Sequence, residues 1–230
     1  DSQDIELDVS NIFSPSRFPG KDRVEDEARV TYGVNAGVYT SDGSAGRLFL
    51  GQSYFLDDRT DLFPQGSGLS ERDSDVVGQV GITYKNNFDF DYNFQFDNET
   101  LQSARHQITS SLRVWRAGLN GRYFFSRGLE NSSVEDSREQ LRMSGFVWLD
   151  PDRQWRFRSG FTHDFAEDKG LLKARFGLDF FNECDCWNIS TTAIRNLTAD
   201  ASGESSTEFL IQVGFKNLGF FGTQDLSTAR

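Results

Sequence analysis

Phe88 to Asp97 reads F-D-F-D-Y-N-F-Q-F-D. Aromatic rings occupy every second place, at Phe88, Phe90, Tyr92, Phe94 and Phe96, and Asp89, Asp91, Asn93, Gln95 and Asp97 fill the places between. A period of two puts the rings on one side of a β-strand and the polar groups on the other. The core side of a soluble sandwich usually mixes in aliphatic residues. Here one side is wholly aromatic and the other holds carboxylates, which fits a strand between lipid and water. The alternation predicts rings directed outward to lipid, with the five polar residues facing a lumen.

The same alternation extends in both directions. Val30, Tyr32, Val34, Ala36 and Val38 share one side of a segment at 28–40, and Phe209, Ile211, Val213 and Phe215 share one side of 206–217. Between these lie alternating segments at 46–56, 75–85, 88–98, 104–115, 117–127, 139–149, 154–165, 170–182 and 187–197. The pattern predicts an all-β, antiparallel, up-and-down transmembrane β-barrel portion of about eleven strands over 28–217. Residues 1–27 hold Pro15, Pro19, Gly20 and many charges and read as an extended, charged loop leading into the barrel; 218–230 reads as a C-terminal tail.

Composition narrows the classes. A formal net charge of -11 argues against a nucleic-acid partner. Mean hydropathy is -0.55, and no apolar run approaches the roughly 20 residues of a spanning helix. A spanning strand needs only about 9–11 residues, half of them polar, so a membrane is still allowed. The opening D-S-Q-D-I-E-L-D is not a signal peptide.

Connections alternate in length. Short ones fall at Ser41–Ala45, Asn86–Asn87, near Arg116, at Asp150–Arg153 and at Asn182–Cys186; longer ones fall at 57–74, 99–103, 128–138 and 198–205. A short link at 166–169 breaks the rule. Barrels of the outer membrane have short periplasmic turns and longer external loops. Trp115, Trp148, Trp155 and Trp187 all sit beside short turns, which predicts an interfacial aromatic girdle on that rim.

Reactive groups are few. His106 and His163 are the candidates for catalysis, but His163 and Asp164 are adjacent in a strand and point to opposite sides. No G-x-S-x-G is present. The run Asp57-Asp58-Arg59-Thr60-Asp61 lacks the spacing of a calcium loop and reads as a solvated loop. Nothing implies a cofactor or metal. Cys184 and Cys186, in C-D-C-W, are too close in an extended chain to pair easily with each other. Free thiols or bridges to cysteines outside the chain remain, and an oxidising periplasm favours bridges.

Four stretches together resemble the LptD family of outer-membrane lipopolysaccharide-assembly proteins. They are D-S-Q-D-I-E-L-D followed by Asn11, Phe13 and R-F-P-G-K-D-R-V-E (17–25), G-Q-S-Y (51–54), C-D-C-W (184–187) and F-K-N-L-G-F-F-G-T (215–223). The resemblance implies the C-terminal part of a larger barrel in the bacterial outer membrane, a translocon and not an enzyme. It implies lipopolysaccharide as cargo, an LptE-like plug lipoprotein and a periplasmic Lpt bridge as partners, and outer-membrane lipids around the wall. It further implies bridges from Cys184 and Cys186 to cysteines in the N-terminal part of the parent. Lipid would leave sideways beside the last strand, 206–217, with its Phe209, Ile211, Val213 and Phe215. The alternative is a generic porin or autotransporter-type barrel.

Overall fold

The computed structural model of the chain describes residues 7–18, 25, 28–56, 63, 66–128, 136–165, 170–197, 205–216 and 218–222. Their regular structure is all β. The strands are β1 (Arg29–Tyr39), β2 (Ala45–Phe55), β3 (Val76–Tyr84), β4 (Phe88–Phe96), β5 (Ser103–Val114) and β6 (Ala117–Ser126). They continue with β7 (Arg138–Trp148), β8 (Trp155–Asp164), β9 (Gly170–Phe181), β10 (Trp187–Asn196), β11 (Ser206–Phe215) and β12 (Gly219–Gly222). One up-and-down sheet follows chain order, with β1 and β12 at its ends. Among the described residues no helix is long and apolar enough to cross a membrane.

The count is twelve strands where alternation predicts about eleven. The additional strand, β12, lies in the segment expected to be tail. Gly219, at φ +105°, reverses the chain after β11, and Phe220 and Phe221 then pair back on Gly214 and Val213. Four residues are too few to show a periodic pattern in sequence.

The chain divides into two compact units. The first comprises Asp1–Ser110 and Arg122–Glu139. Within it, cross-strand partners preserve the two-sided pattern. Ile82 lies opposite Phe90, Val80 opposite Tyr92, and Val76 opposite Phe96; Thr83 faces Asp89 and Gln79 faces Asn93. On β1, Val34 and Val38 of the apolar side are 65% and 70% exposed. Apolar area laid bare on this scale marks a surface meant for another apolar phase.

The other side of this unit is not uniformly polar. Leu7, Ile12 and Phe18 pack there with Phe55, Phe63, Leu69 and Val77 in one buried cluster. The 7–18 segment is therefore docked, where the sequence predicts an extended loop. Its fold starts at Asp8, whose backbone oxygen accepts the Ile12 N–H at 3.0 Å, while its N–H donates to Asn11 Oδ1 at 2.8 Å. Asp and Asn favour such turns because their side chains satisfy nearby backbone groups. The turn brings Leu7 and Ile12 onto the sheet.

The second unit comprises Ser111–Gly121 and Gln140–Arg230. Its strands pair with neighbours in long regular ladders, interrupted by one register shift between Thr162 and His163. Val147, Phe157, Leu178, Thr191 and Ile211 form one cross-strand row of the apolar side. Phe146, Arg158, Gly177, Thr192 and Leu210 form a row of the opposite side.

All four tryptophans lie at strand ends or in a turn of this second unit, but they do not share a side. Trp155 and Trp187 flank Phe180 on the apolar side, at 4.8 and 5.5 Å between centroids. Trp148 points the other way, its ring tilted against Phe181 at 5.5 Å, with the Arg156 guanidinium 5.3 Å from its ring. The girdle expected of all four is thus corrected for Trp148. Its place in the alternation of β7 puts it with Phe146 and Ser144, and a cation covers it.

Phe55 is fully buried, whereas Phe209 is 74% exposed. Phe55→Ala should cost about 3–5 kcal/mol, and limited proteolysis should then cut the 7–18 segment early. Phe209→Ala should leave the proteolysis pattern unchanged.

Candidate functional site

The polar residues of β4 meet different fates in the first unit. Asp91 accepts Gln79 Nε2 from the neighbouring β3 at 3.3 Å and Arg47 Nη2 from β2, reaching over Gly81, at 3.4 Å. Asp89 is exposed and Asn93 half-buried. Gln95 is buried, donating to Asp75 Oδ2 at 2.7 Å and to the Ser67 carbonyl at 3.2 Å. Asp97 lies beyond the end of β4. Its Oδ1 accepts the Thr100 N–H and hydroxyl, both at 2.8 Å, and the Glu99 N–H at 3.2 Å. The Thr100 N–H and hydroxyl hold this carboxyl below the usual range. A group tied into its own turn has little capacity left for a ligand, so Asp97 is a turn-former where a lumen-lining residue is expected.

Above this polar side lies an ion triad that sequence spacing does not announce. Glu25 accepts from Arg17 Nη1 at 3.0 Å and from Arg29 Nη1 at 2.5 Å. Arg17 is itself buried and donates through Nη2 to Ser53 Oγ at 3.0 Å, with its guanidinium 5.6 Å from the Phe55 ring. Charge-assisted bonds of this kind fix geometry strongly. Arg105 approaches Asp8 at 3.8 Å. Together these contacts fasten the docked segment to β1, β2 and β5.

In the second unit the corresponding feature is Asp179. It is fully buried and receives Arg156 Nε at 2.8 Å, Arg158 Nε at 2.7 Å and Arg158 Nη2 at 2.7 Å. Gly177, one strand position away on the same side, leaves the space that the Arg158 guanidinium crosses. Taking one member from such a group leaves an uncompensated buried charge.

Neither histidine joins a catalytic set. His106 Nδ1 and the Tyr92 hydroxyl share a hydrogen bond at 2.6 Å on the aromatic side, beside Phe96 and Phe125. His163 lies against Phe165 at 4.6 Å, while Asp164 accepts Gln140 Nε2 at 3.0 Å on the opposite side. Among the described residues no group of three or more His, Cys, Asp or Glu could hold a metal. Asp57 to Asp61 lie outside the described residues.

Cys184 and Cys186 are joined to each other by a disulfide. This corrects the expectation that their spacing sends them to partners elsewhere. The segment is not extended. Asn182 Oδ1 accepts the Cys186 and Trp187 N–H groups at 2.8 and 3.0 Å, and Asp185 adopts φ 52°. That fold brings the two Cα atoms to 5.2 Å, within reach of a bridge.

Phe209, Ile211, Val213 and Phe215 share the apolar side of β11, opposite Ala193, Thr191, Ile189 and Trp187 of β10. β11 is not the outermost strand. β12 covers it from Gln212 to Phe215.

The loop before β3 carries the group most displaced from its ordinary acidity. Burial raises the Asp75 carboxyl to about 6, against the hydrogen bond from Gln95, and the nearby Asp97 and Glu71 carboxylates push the same way as burial. A raised carboxyl pKa stabilises the fold below the unfolded value of 3.8, and this contribution is lost as pH rises through about 6. Asp75→Asn should therefore stabilise the protein at pH 8, by about 1–2 kcal/mol after solvent screening of the carboxyl. The gain should vanish near pH 3.5, as read from denaturant midpoints in detergent. A gain independent of pH would reject this role for Asp75.

A family model described as LptD, LPS transport system D, matches residues 1–152. The LPS-assembly protein LptD of Burkholderia cenocepacia is 23% identical over 225 residues, covering 95% of this chain and 28% of that protein. That of Nitrosococcus oceani is 26% identical over 225 residues, covering 96% and 29%. That of Aeromonas salmonicida is 28% identical over 240 residues, covering 100% and 29%. The chain thus spans less than a third of the length of these curated relatives. The family model covers more than half of the chain, its strands form one up-and-down antiparallel sheet, and the relatives align with nearly all of it: the chain belongs to the LptD family.

Proposed function

We propose that this chain is part of the barrel wall of an outer-membrane protein that inserts lipopolysaccharide into the outer leaflet. Family membership over residues 1–152 is the observation that carries this reading. The two-sided sheet supports it. In the first unit the side with Val34, Phe90 and Tyr92 meets lipid and the side with Asp89, Asp91, Asn93 and Gln95 meets the lumen; in the second unit the side with Ile211 meets lipid. A hydrated saccharide passes along polar groups with which it exchanges hydrogen bonds, while its acyl chains stay in hydrocarbon. No covalent bond changes, so the activity is transport and not catalysis.

Acyl chains can follow the saccharide into the membrane only if the wall parts. Among the described residues β12 pairs with four residues of β11, against eleven paired positions between β1 and β2. Each unsatisfied backbone group in lipid costs several kcal/mol, so a seam with few bonds is the cheapest place to open. The β11–β12 end of the sheet, with Phe209, Ile211, Val213 and Phe215, is our candidate for one wall of that exit. An LptE-like lipoprotein plugging the lumen and a periplasmic Lpt bridge delivering the lipid complete the pathway. A bridge from Cys184 or Cys186 to a cysteine elsewhere in the parent requires exchange of the bond between them.

Two results check the reading. Phe90→Arg puts a cation on the lipid side, where the cost rises toward about 2–4 kcal/mol at mid-membrane, and should block assembly of the heat-resistant barrel seen by gel mobility. Asp91→Asn should not; equal tolerance of both would reject the facing. For the exit, a disulfide tether across the β11–β12 seam, from Val213→Cys to its cross-strand partner Phe221→Cys in the full-length protein, should stop lipopolysaccharide reaching the cell surface until reductant is added. Normal surface arrival with the tether formed would rule out exit at this seam.

A further inference from the structure

The polar side of the second unit carries positive charge that its carboxylates do not offset. Arg142, Thr162 and Lys173 form one cross-strand row of β7, β8 and β9, and Ser144, Gly160 and Arg175 form the next. These six residues border one concavity of about 150 Å³. Arg175 also borders an adjoining one of about 450 Å³, together with Phe146, Arg158, Thr192, Ile194 and Leu210. The carboxylates on this side are engaged elsewhere. Asp179 holds Arg156 and Arg158, Asp164 accepts Gln140, and Glu208 accepts Asn196. Among the described residues no carboxylate lies within ion-pair distance of Arg142, Lys173 or Arg175.

Like charges gathered on one side of a sheet repel. The chain has 35 acidic residues against 24 basic ones, so supply of acid does not explain the imbalance. A cluster of this kind is relieved when an anion enters it. Guanidinium forks match the paired oxygens of a phosphate, and an ammonium adds point charge. The Ser144 and Thr162 hydroxyls can exchange hydrogen bonds with a sugar, and Phe146, Ile194 and Leu210 offer an apolar floor to the flat face of a pyranose ring.

We propose that Arg142, Lys173 and Arg175 form a binding subsite for phosphate groups carried on a saccharide. The proposal rests on the lipopolysaccharide reading and names the part of that molecule this side of the sheet holds.

The test uses the full-length protein in detergent and a glucosamine disaccharide bearing two phosphates, with binding read by calorimetry. The unphosphorylated disaccharide, inorganic phosphate and a polyglutamate peptide serve as comparators. The bisphosphate should bind at least tenfold more tightly than the unphosphorylated sugar, and added salt should weaken it. R142Q/K173Q/R175Q should weaken it tenfold or more. Lys173→Glu alone supplies the same comparison where the triple variant does not assemble. Unchanged binding in an assembled variant, or equal binding of the unphosphorylated sugar, overturns the subsite. Inorganic phosphate as tight as the bisphosphate overturns the saccharide part. Tighter binding of polyglutamate assigns the patch to an acidic protein and overturns the proposal. Surface lipopolysaccharide in cells depleted of the protein tests the assembly reading separately, so either reading can fail without the other.

Discussion

In a sheet with apolar groups on one side and charges on the other, strand register decides everything else. Side chains alternate with a period of two, so slipping one strand by one residue moves its whole set to the wrong side. On β4 such a slip would set Asp91 beside Val80 or Ile82 and bring Phe90 among Arg47 and Gln79. The observed pairing keeps Phe90 opposite Ile82, and Asp91 with Arg47 and Gln79. Short turns help to hold it. Lys85, Trp115, Arg153 and Asp185 all adopt left-handed backbone conformations at short connections, where each reverses the chain within two to six residues.

The polar side does more than avoid lipid. In the first unit it receives a segment of the same chain, fixed by Leu7, Ile12 and the Arg17–Glu25–Arg29 triad. In the second it carries the Asp179 group beside an open, basic concavity. The first arrangement is closed and satisfied. The second leaves charge facing outward from the sheet, and that difference locates the ligand question in the second unit.

Much of this was readable from residue order. The F-D-F-D-Y-N-F-Q-F-D stretch gave the two sides directly, because alternation is a local property of the chain. The features missed depend on distance in sequence. Arg17 meets Ser53 across 36 residues of chain, and Arg156 meets Asp179 across a hairpin. Cys184 and Cys186 pair because Asn182 and Asp185 bend the backbone, a bend that the spacing alone does not reveal. Asp97 shares the alternation of β4 but falls one residue past its end, where turn chemistry claims it. β12 is too short to carry a signal. Arg142, Lys173 and Arg175 read individually as ordinary polar positions; only the cross-strand rows bring them together.

Strand order that follows chain order has a kinetic meaning. Every strand of this sheet finds its neighbour next to it along the chain. Each pairing closes a single connection, and the entropy of closing a loop grows only slowly with its length. Low sequence separation of contacts also favours fast formation. A β-sheet of this kind can grow by adding one hairpin arm at a time to an existing edge, with each arrived strand serving as template for the next. Pairing of β1 or β12 with a strand from outside this sheet would be the exception, a contact of high sequence separation and therefore slower to form.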